Sequence, residues 1–197
     1  EAAPNKVQAD CGMMDLMTIQ GTTPNGRGIS TIYFSSGGFG ALAEQDGGDT
    51  VPGPSNMAVV PVETWEAITG MTVLEKRFVP DSGGAGAARG GVGQVVHLRN
   101  DSGHPMTVFC MANRTEFPPV GYHGGKNGQM REHRINGSVV HPKGSYVLQN
   151  SDTITLTQAG GGGIGDPKTR DPEKVQADVR DGFVSVEGAM KDYGVNV

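Results

Sequence analysis

Three neighbouring stretches decide the fold: Val92-Gly-Gln-Val-Val-His-Leu98, the polar Asn100-Asp-Ser-Gly103 and Met106-Thr-Val-Phe-Cys-Met111. Two β-rich runs flank residues that favour chain reversal, so the spacing predicts a β-hairpin whose turn is longer than two residues. Similar runs recur on both sides. Ile29 to Phe34 reads as a strand stopped by Ser35-Ser36-Gly37-Gly38, and Met71 to Val79 as a strand with imperfect two-sided patterning. Met57 to Val62 reads as an edge strand or a bulge, because Pro61 has no amide to donate to a ladder. Ser145 to Gln149 and Asp152 to Gln158 give two more strands, joined by Asn150-Ser151. Valine outnumbers leucine 21 to 6, and β-branched side chains pack better on pleated sheets than on helices. The expected class is mainly β: a β-sandwich or barrel-like body with long glycine-rich loops.

The character changes after Gly160-Gly-Gly-Gly163. Asp171 is placed to cap a helix that starts at Pro172, with Glu173 in its first turn, Val175 and Val179 on one face and Gly182 just past its end. Ser185 is placed to cap a second, with Val186, Ala189, Met190 and Tyr193 at helical spacing and Gly194 closing it. The expected organisation is a β-rich domain over 1–165 and, over 166–197, two short C-terminal helices packed on it.

Glycine supplies 32 of 197 residues, about 16% against a usual share of about 7%. Leu, Ile, Val and Phe together make about 20% of the chain, a value at which disorder becomes a serious alternative. The net charge is only −5, with 21 acids and 16 bases mixed along the length, which argues for a folded domain punctuated by glycine. The glycines lack the strict period of three that a collagen helix requires. No apolar run is long enough to span a bilayer, and Glu1-Ala-Ala-Pro-Asn-Lys6 lacks a signal peptide's apolar stretch, so a cytoplasmic location without membrane attachment is expected. Cys11 and Cys110 are expected to be reduced thiols, since neither sits in a CxxC-type spacing. An acidic pI near 5.5 without a basic cluster points away from nucleic acid. The opening residues read like the middle of a domain, as in a fragment of a longer chain.

Several motifs invite a functional reading. Gly160-x-Gly162-x-x-Gly165 matches a dinucleotide fingerprint in letters, but Asp166 to Asp171 intervene before any helix, so a connection needing glycine's backbone angles is preferred. Gly121-Tyr-His-Gly-Gly-Lys126-Asn127 has a phosphate loop's lysine but not its spacing, leaving an anion-binding or substrate-facing loop as the alternative to plain structure. It lies in the long polar stretch Asn113 to Asn136, which has no strand of usable length and is a functional-loop candidate. The five histidines, His97, His104, His123, His133 and His141, form no local ligand pair, so no metal ligands are assigned. Asp81-Ser-Gly-Gly-Ala-Gly-Ala-Ala-Arg-Gly-Gly-Val-Gly93 is the most unusual segment, readable as a loop held by an Asp81–Arg89 ion pair or as a contact with substrate or with another subunit.

The order of the loops carries more than any one of them. Ser36-Gly-Gly-Phe-Gly-Ala41, Pro61-Val-Glu-Thr-Trp-Glu66, Pro80-Asp-Ser-Gly-Gly-Ala-Gly86, Arg89-Gly-Gly-Val-Gly93, Phe117-Pro-Pro119, Gly124-Gly-Lys126, Pro142-Lys-Gly144 and Gly160-Gly-Gly-Gly-Ile-Gly-Asp-Pro167 are followed by Arg170-Asp-Pro172, Val179-Arg-Asp-Gly182, Val184-Ser-Val-Glu187 and Asp192-Tyr-Gly194. In this order they resemble the C-terminal part of the hydantoinase B/oxoprolinase family, strongly from Gly37 to Val197 and loosely before. Ile164, where an aromatic is common, and Ala87-Ala88, which replace bulkier residues, are small departures.

The resemblance implies one component of an ATP-dependent enzyme that opens cyclic amides such as hydantoins, 5-oxoproline or other lactams, or carboxylates ketones such as acetone and acetophenone. It implies phosphorylation of a carbonyl-derived oxygen, with ATP and a divalent metal bound outside this chain on a hydantoinase A-type partner. It further implies an N-terminal part of the same subunit, absent here, without which this segment is inactive. The alternative is a non-catalytic β-rich module, structural or used for subunit contact or ligand binding. Catalytic residues are not assigned. The candidate substrate- or interface-loop residues are Asp81, Ser82, Gly83, Gly84, Arg89, Arg114, Gly124, Gly125 and Lys126, where clustered amides stand beside cations suited to anionic intermediates.

Overall fold

A computed structural model describes residues 9–51 and 60–197. Among these residues, nine strands form two antiparallel sheets. The first orders β2 (Gly28–Ser35), β1 (Asp15–Thr22), β5 (Met106–Met111) and β8 (Lys143–Leu148). The second orders β3 (Met71–Phe78), β4 (Gln94–Asn100), β9 (Thr153–Thr157), β6 (Glu132–Ile135) and β7 (Ser138–Val140). Alternate residues point inward, Met17 and Ile19 from β1, Val108 from β5, Val96 and Leu98 from β4, Ile154 and Leu156 from β9, and they meet as one fully buried core. Of the two architectures left open by the sequence, this is the sandwich.

The expected hairpin does not form. β4 pairs with β3 and β9, whereas β5 pairs with β1 and β8, so the chain crosses from one sheet to the other between Asn100 and Met106. Packing decides this: Val96 and Leu98 face Val108 and Met106 across the core, which strands side by side in one sheet cannot do. β8 and β9 cross in the opposite direction beside it. One residue ties the two crossings. The buried Asn100 side chain donates to the carbonyls of His104, Leu148 and Gln149 at 2.9, 3.0 and 3.1 Å, and accepts from the Ser102 amide and hydroxyl. These are the backbone groups that lose ladder partners when strands leave a sheet.

Three further elements differ from the expectations. Val62–Thr69 is a helix, α1, with Pro61 at its N-cap, so Val62 belongs to no strand; Met57 to Val59 lie outside the described residues. Trp65 explains the helix, since it is buried in the core and meets Tyr33 edge-on at 4.8 Å. β1 has no counterpart among the expected strands. β6 ends the polar stretch that seemed to lack one, and Glu132 to Ile135 bridge β9 and β7. The tail follows its caps. The Asp171 side chain accepts from the Glu173 amide to start α2 (Pro172–Arg180), and the Ser185 side chain accepts from the Gly188 amide to start α3 (Val186–Gly188), which runs on as a π-helical turn over Ala189–Tyr193. Val175, Val184, Ala189 and Tyr193 close over Ala85 of the glycine loops.

Those loops form a second body with almost no side chains inside. Its hub is Gly160 to Ile164. The amides of Gly160 and Gly163 bond to the carbonyls of Gln129 and Lys126, those of Gly161 and Ile164 to Gly91 and Ala88, and that of Gly162 to Ala9. The carbonyls of Ala159 and Gly162 accept from Gly38 and Ala41. Residues three apart therefore address the same neighbour, where a β-strand would alternate between two. Three residues per turn is the period of the polyproline II helix, whose backbone makes no internal bonds and leaves every group for lateral partners. Neighbours on three sides leave no direction for a side chain. A Cβ on Gly38 would lie 1.8 Å from the Gly91 oxygen, and one on Gly161 1.9 Å from the Phe39 oxygen. Within this hub the glycines answer to space rather than to special angles, since only the following Gly165 has a left-handed φ, +77°.

Candidate functional site

Most of the candidate loop residues converge on this glycine body, and most are committed within it. Ser82 is buried, its hydroxyl donating to the Val79 carbonyl and accepting from the Gly93 amide. Gly83 and Gly84 abut backbone of Gly90 and Lys126, and the Gly84 amide donates to Gly161. Gly125 abuts Gly163, while Gly124 turns with a φ of +94°. Asp81, itself at a φ of +60°, receives the Ser185 amide on its carboxylate at 2.9 Å and so positions the last helix. Its expected ion pair with Arg89 does not exist.

Arg89 turns the other way, into a buried ionic lock. Its guanidinium reaches Asp49 at 3.0 Å, Asp178 at 3.4 Å and the Gly90 carbonyl at 2.7 Å, under the Phe183 ring at 4.9 Å. Arg170 takes the other oxygen of Asp178 at 2.7 Å and both oxygens of Asp46 at 2.6 and 2.8 Å. Asp46 also accepts from the Arg89 amide at 2.7 Å. Two arginines and three aspartates thus pin α2 against the loops at 46–49 and 87–90. Burial opposes ionisation of Asp46, but the Arg170 guanidinium and the Arg89 amide outweigh it and hold the carboxyl below its usual range. Lys126 is spent on Asp192 in the tail.

Arg114 stands apart. Held at a φ of +58°, it lines a surface hollow of about 340 Å³ with Asn113, Thr115, Phe117 and Lys143. A polar cluster that no local pattern announces lies at a second hollow, lined by Thr115, Arg131 and His133. Asp15 of β1 receives His133 Nε2 of β6 at 2.6 Å and the Gln158 side-chain amide at 2.8 Å, all three buried between the sheets. Arg131 donates to the Asn113 side chain at 2.6 Å. Asp15 Oδ1, His133 Nδ1, Gln158 Oε1 and Arg131 Nε and Nη2 are buried without a protein partner. Burial pushes Asp15 up, but the hydrogen bonds from His133 and Gln158 prevail and the carboxyl titrates below its usual range. The two thiols nearby are set against nucleophilic work. Burial raises Cys11, and raises Cys110 to about 12, so both stay protonated.

The cluster joins the two sheets but presents no reactive atom at the surface. Among the described residues, no group of three or more His, Cys, Asp or Glu side chains is placed to hold a metal ion. The Gly124-Gly125-Lys126 amides are no phosphate cradle, because Gly125 and Lys126 donate to Tyr122 and Ala85. None of these groups among the described residues fits ATP or a divalent metal. Among the described residues, no helix is long and apolar enough to cross a membrane.

A sandwich braced by a glycine body and closed by a helical tail, with its loops in this order along the chain, belongs to a known class. Residues 1–167 match the family model described as hydantoinase B/oxoprolinase, and the chain belongs to that family. It is 32% identical over 212 residues to the caprolactamase beta subunit of Pseudomonas jessenii, covering 99% of this chain and 36% of that protein. It is 26% identical over 205 residues to the B component of a putative D-/L-hydantoinase of Pseudomonas sp. (strain NS671), covering 100% of this chain and 34% of that one. The chain thus spans about a third of the length of these relatives. The crystal structure of the ATP-dependent caprolactamase from Pseudomonas jessenii shares the fold with a TM-score of 0.84 at 24% identity, over 100% of this chain and 36% of that one. The nucleotide-free acetone carboxylase structure gives 0.70 at 20% identity, over 94% and 30%.

Proposed function

We propose that these residues form the C-terminal part of a hydantoinase B-type subunit of a cytoplasmic, ATP-dependent enzyme that hydrolyses cyclic amides, with lactams the favoured substrates. The observation that carries this reading is the 32% identity to a caprolactamase beta subunit, maintained over 99% of the chain. Ketone carboxylation is the second reading, favoured by the fold shared with acetone carboxylase. In either case a hydantoinase A-type partner handles ATP and its metal, and the segment acts only within the whole assembly.

Within that assembly, Arg89 and Lys126 act by fixing the scaffold, since their charges are met by Asp49, Asp178 and Asp192. Arg114 is the candidate left facing a hollow. The test is co-expression of the full-length subunit with its neighbouring partner and measurement of phosphate release against caprolactam, 5-oxoproline, hydantoins and ketones. Lactam-dependent release is expected. A complete gene product of only this length, or a longer pair silent with every substrate, would leave the non-catalytic module as the better reading.

A further inference from the structure

The two outer faces of the sandwich differ in a way its fold does not require. On the second sheet, cross-strand rows run Glu75–His97–Thr155–Arg134–Val139 and Arg77–Val95–Thr157–Glu132, exposed ion pairs Arg77–Glu75 and Arg134–Glu132 join one row to the other, and only the edge residue Val139 is an exposed apolar side chain in them. That is the polar surface expected of a sheet facing water. On the first sheet the corresponding rows run Phe34–Leu16–Met111–Lys143, Ile32–Thr18–Phe109–Ser145 and Ser30–Gln20–Thr107–Val147. Six of these twelve positions are apolar and one is charged. Ile32, Phe109, Met111 and Val147 are 44%, 38%, 56% and 55% exposed. Contiguous Phe, Met and Ile with a single charge, Lys143, on the edge strand is the composition of an interface core with a polar rim.

Area and tether select the occupant. Four strands by three rows cover about 14 Å by 14 Å, roughly 200 Å². A stable complex between separate chains buries about 800 Å² on each partner. A segment of the same polypeptide needs less, because covalent linkage supplies an effective concentration of order millimolar. The caprolactamase beta subunit is nearly three times as long as the stretch this chain covers. We propose that the outer face of β2-β1-β5-β8 is covered by the remainder of the same subunit, which docks on Ile32, Phe34, Phe109, Met111 and Val147. This rests on the reading of the chain as part of a longer hydantoinase B-type subunit.

The test places p-benzoylphenylalanine at Phe109, at Val147 or, as a control on the polar face, at Arg134 in the full-length subunit, purified alone and with its partner. Irradiation followed by peptide mapping is expected to join Phe109 and Val147 to peptides of the same polypeptide outside these 197 residues, and to leave Arg134 without adducts. Two positions at opposite parts of the patch guard against one variant failing to fold. Adducts to a second copy or to the partner subunit, or none at either position in folded protein, would overturn the docking. Phosphate release by the unsubstituted preparation is scored separately: its loss for every substrate overturns the enzymatic reading and leaves the cross-links meaningful.

Discussion

The sandwich and the glycine body solve one problem in opposite ways. Both must bury backbone without orphaning its amides and carbonyls. The sandwich pairs backbone within sheets and fills the space between them with Met17, Ile19, Leu98, Leu148, Ile154 and Leu156, so its stability resides in side-chain volume. The glycine body bonds backbone in three directions and has no room between segments, so its stability resides in the absence of volume. The same chain is therefore sensitive to losing atoms in one region and to gaining them in the other.

The sharpest way to break the comparison is Gly161→Ala. Its new methyl has no flexible neighbour to push, since the Phe39 carbonyl oxygen and carbon lie at 1.9 and 2.2 Å from the added atom. The segments must part, and a loss above about 5 kcal/mol is expected, seen as no soluble folded protein. Gly26→Ala, where a Cβ meets open space and only the φ of +77° objects, is expected to cost about 1 kcal/mol in a melting experiment. If both variants fold equally well, space is not what the bundle requires.

Asp178→Asn comes next. It leaves Arg89 and Arg170 buried with one acidic partner fewer, and breaking such a lock costs about 3–5 kcal/mol by urea denaturation. Leu98→Ala removes fully buried volume from the sandwich and is expected to cost about 3 kcal/mol, within the usual span for such truncations. A Leu98→Ala cost matching or exceeding that of Gly161→Ala would reverse the contrast between the two regions.

What the sequence discloses follows the same divide. The tail helices are legible because their caps, Asp171 and Ser185, act within three residues of themselves. The strands around Val95 and Val108 are legible as strands, but local spacing holds no information on which sheet each joins; Asn100 settles that through carbonyls 48 and 49 positions away. Asp15 and His133 lie 118 positions apart, and nothing in either neighbourhood announces the other. Arg89 illustrates the limit most plainly. Its nearby acid in sequence is Asp81, yet its partners come from 40 and 89 positions away, because the bundle brings remote loops closer than adjacent ones. The family resemblance survived because it rested on the order of many glycine loops, each fixed by the same backbone contacts.

The smallest effect is a pH dependence, flat near neutrality and visible only in acid. Asp15 in the sandwich and Asp46 beside the glycine body both titrate below the usual carboxylate range in the folded protein, held there against burial by His133 and Gln158 in one case and by Arg170 in the other. A depressed folded value means that the unfolded chain takes up its proton first. The stabilisation is thus complete above the ordinary carboxyl value of about 4 and fades as pH falls through the lower folded values. Denaturation midpoints are expected to stay flat with respect to these two groups from pH 7 to about 5 and to fall below about 4. Asp15→Asn and Asp46→Asn should each flatten part of that acid limb. If only Asp46→Asn does so, the acid transition belongs to the glycine body and its lock; if only Asp15→Asn does, it belongs to the sandwich. Equal slopes in both variants and the parent would show that neither carboxylate links folding to protons.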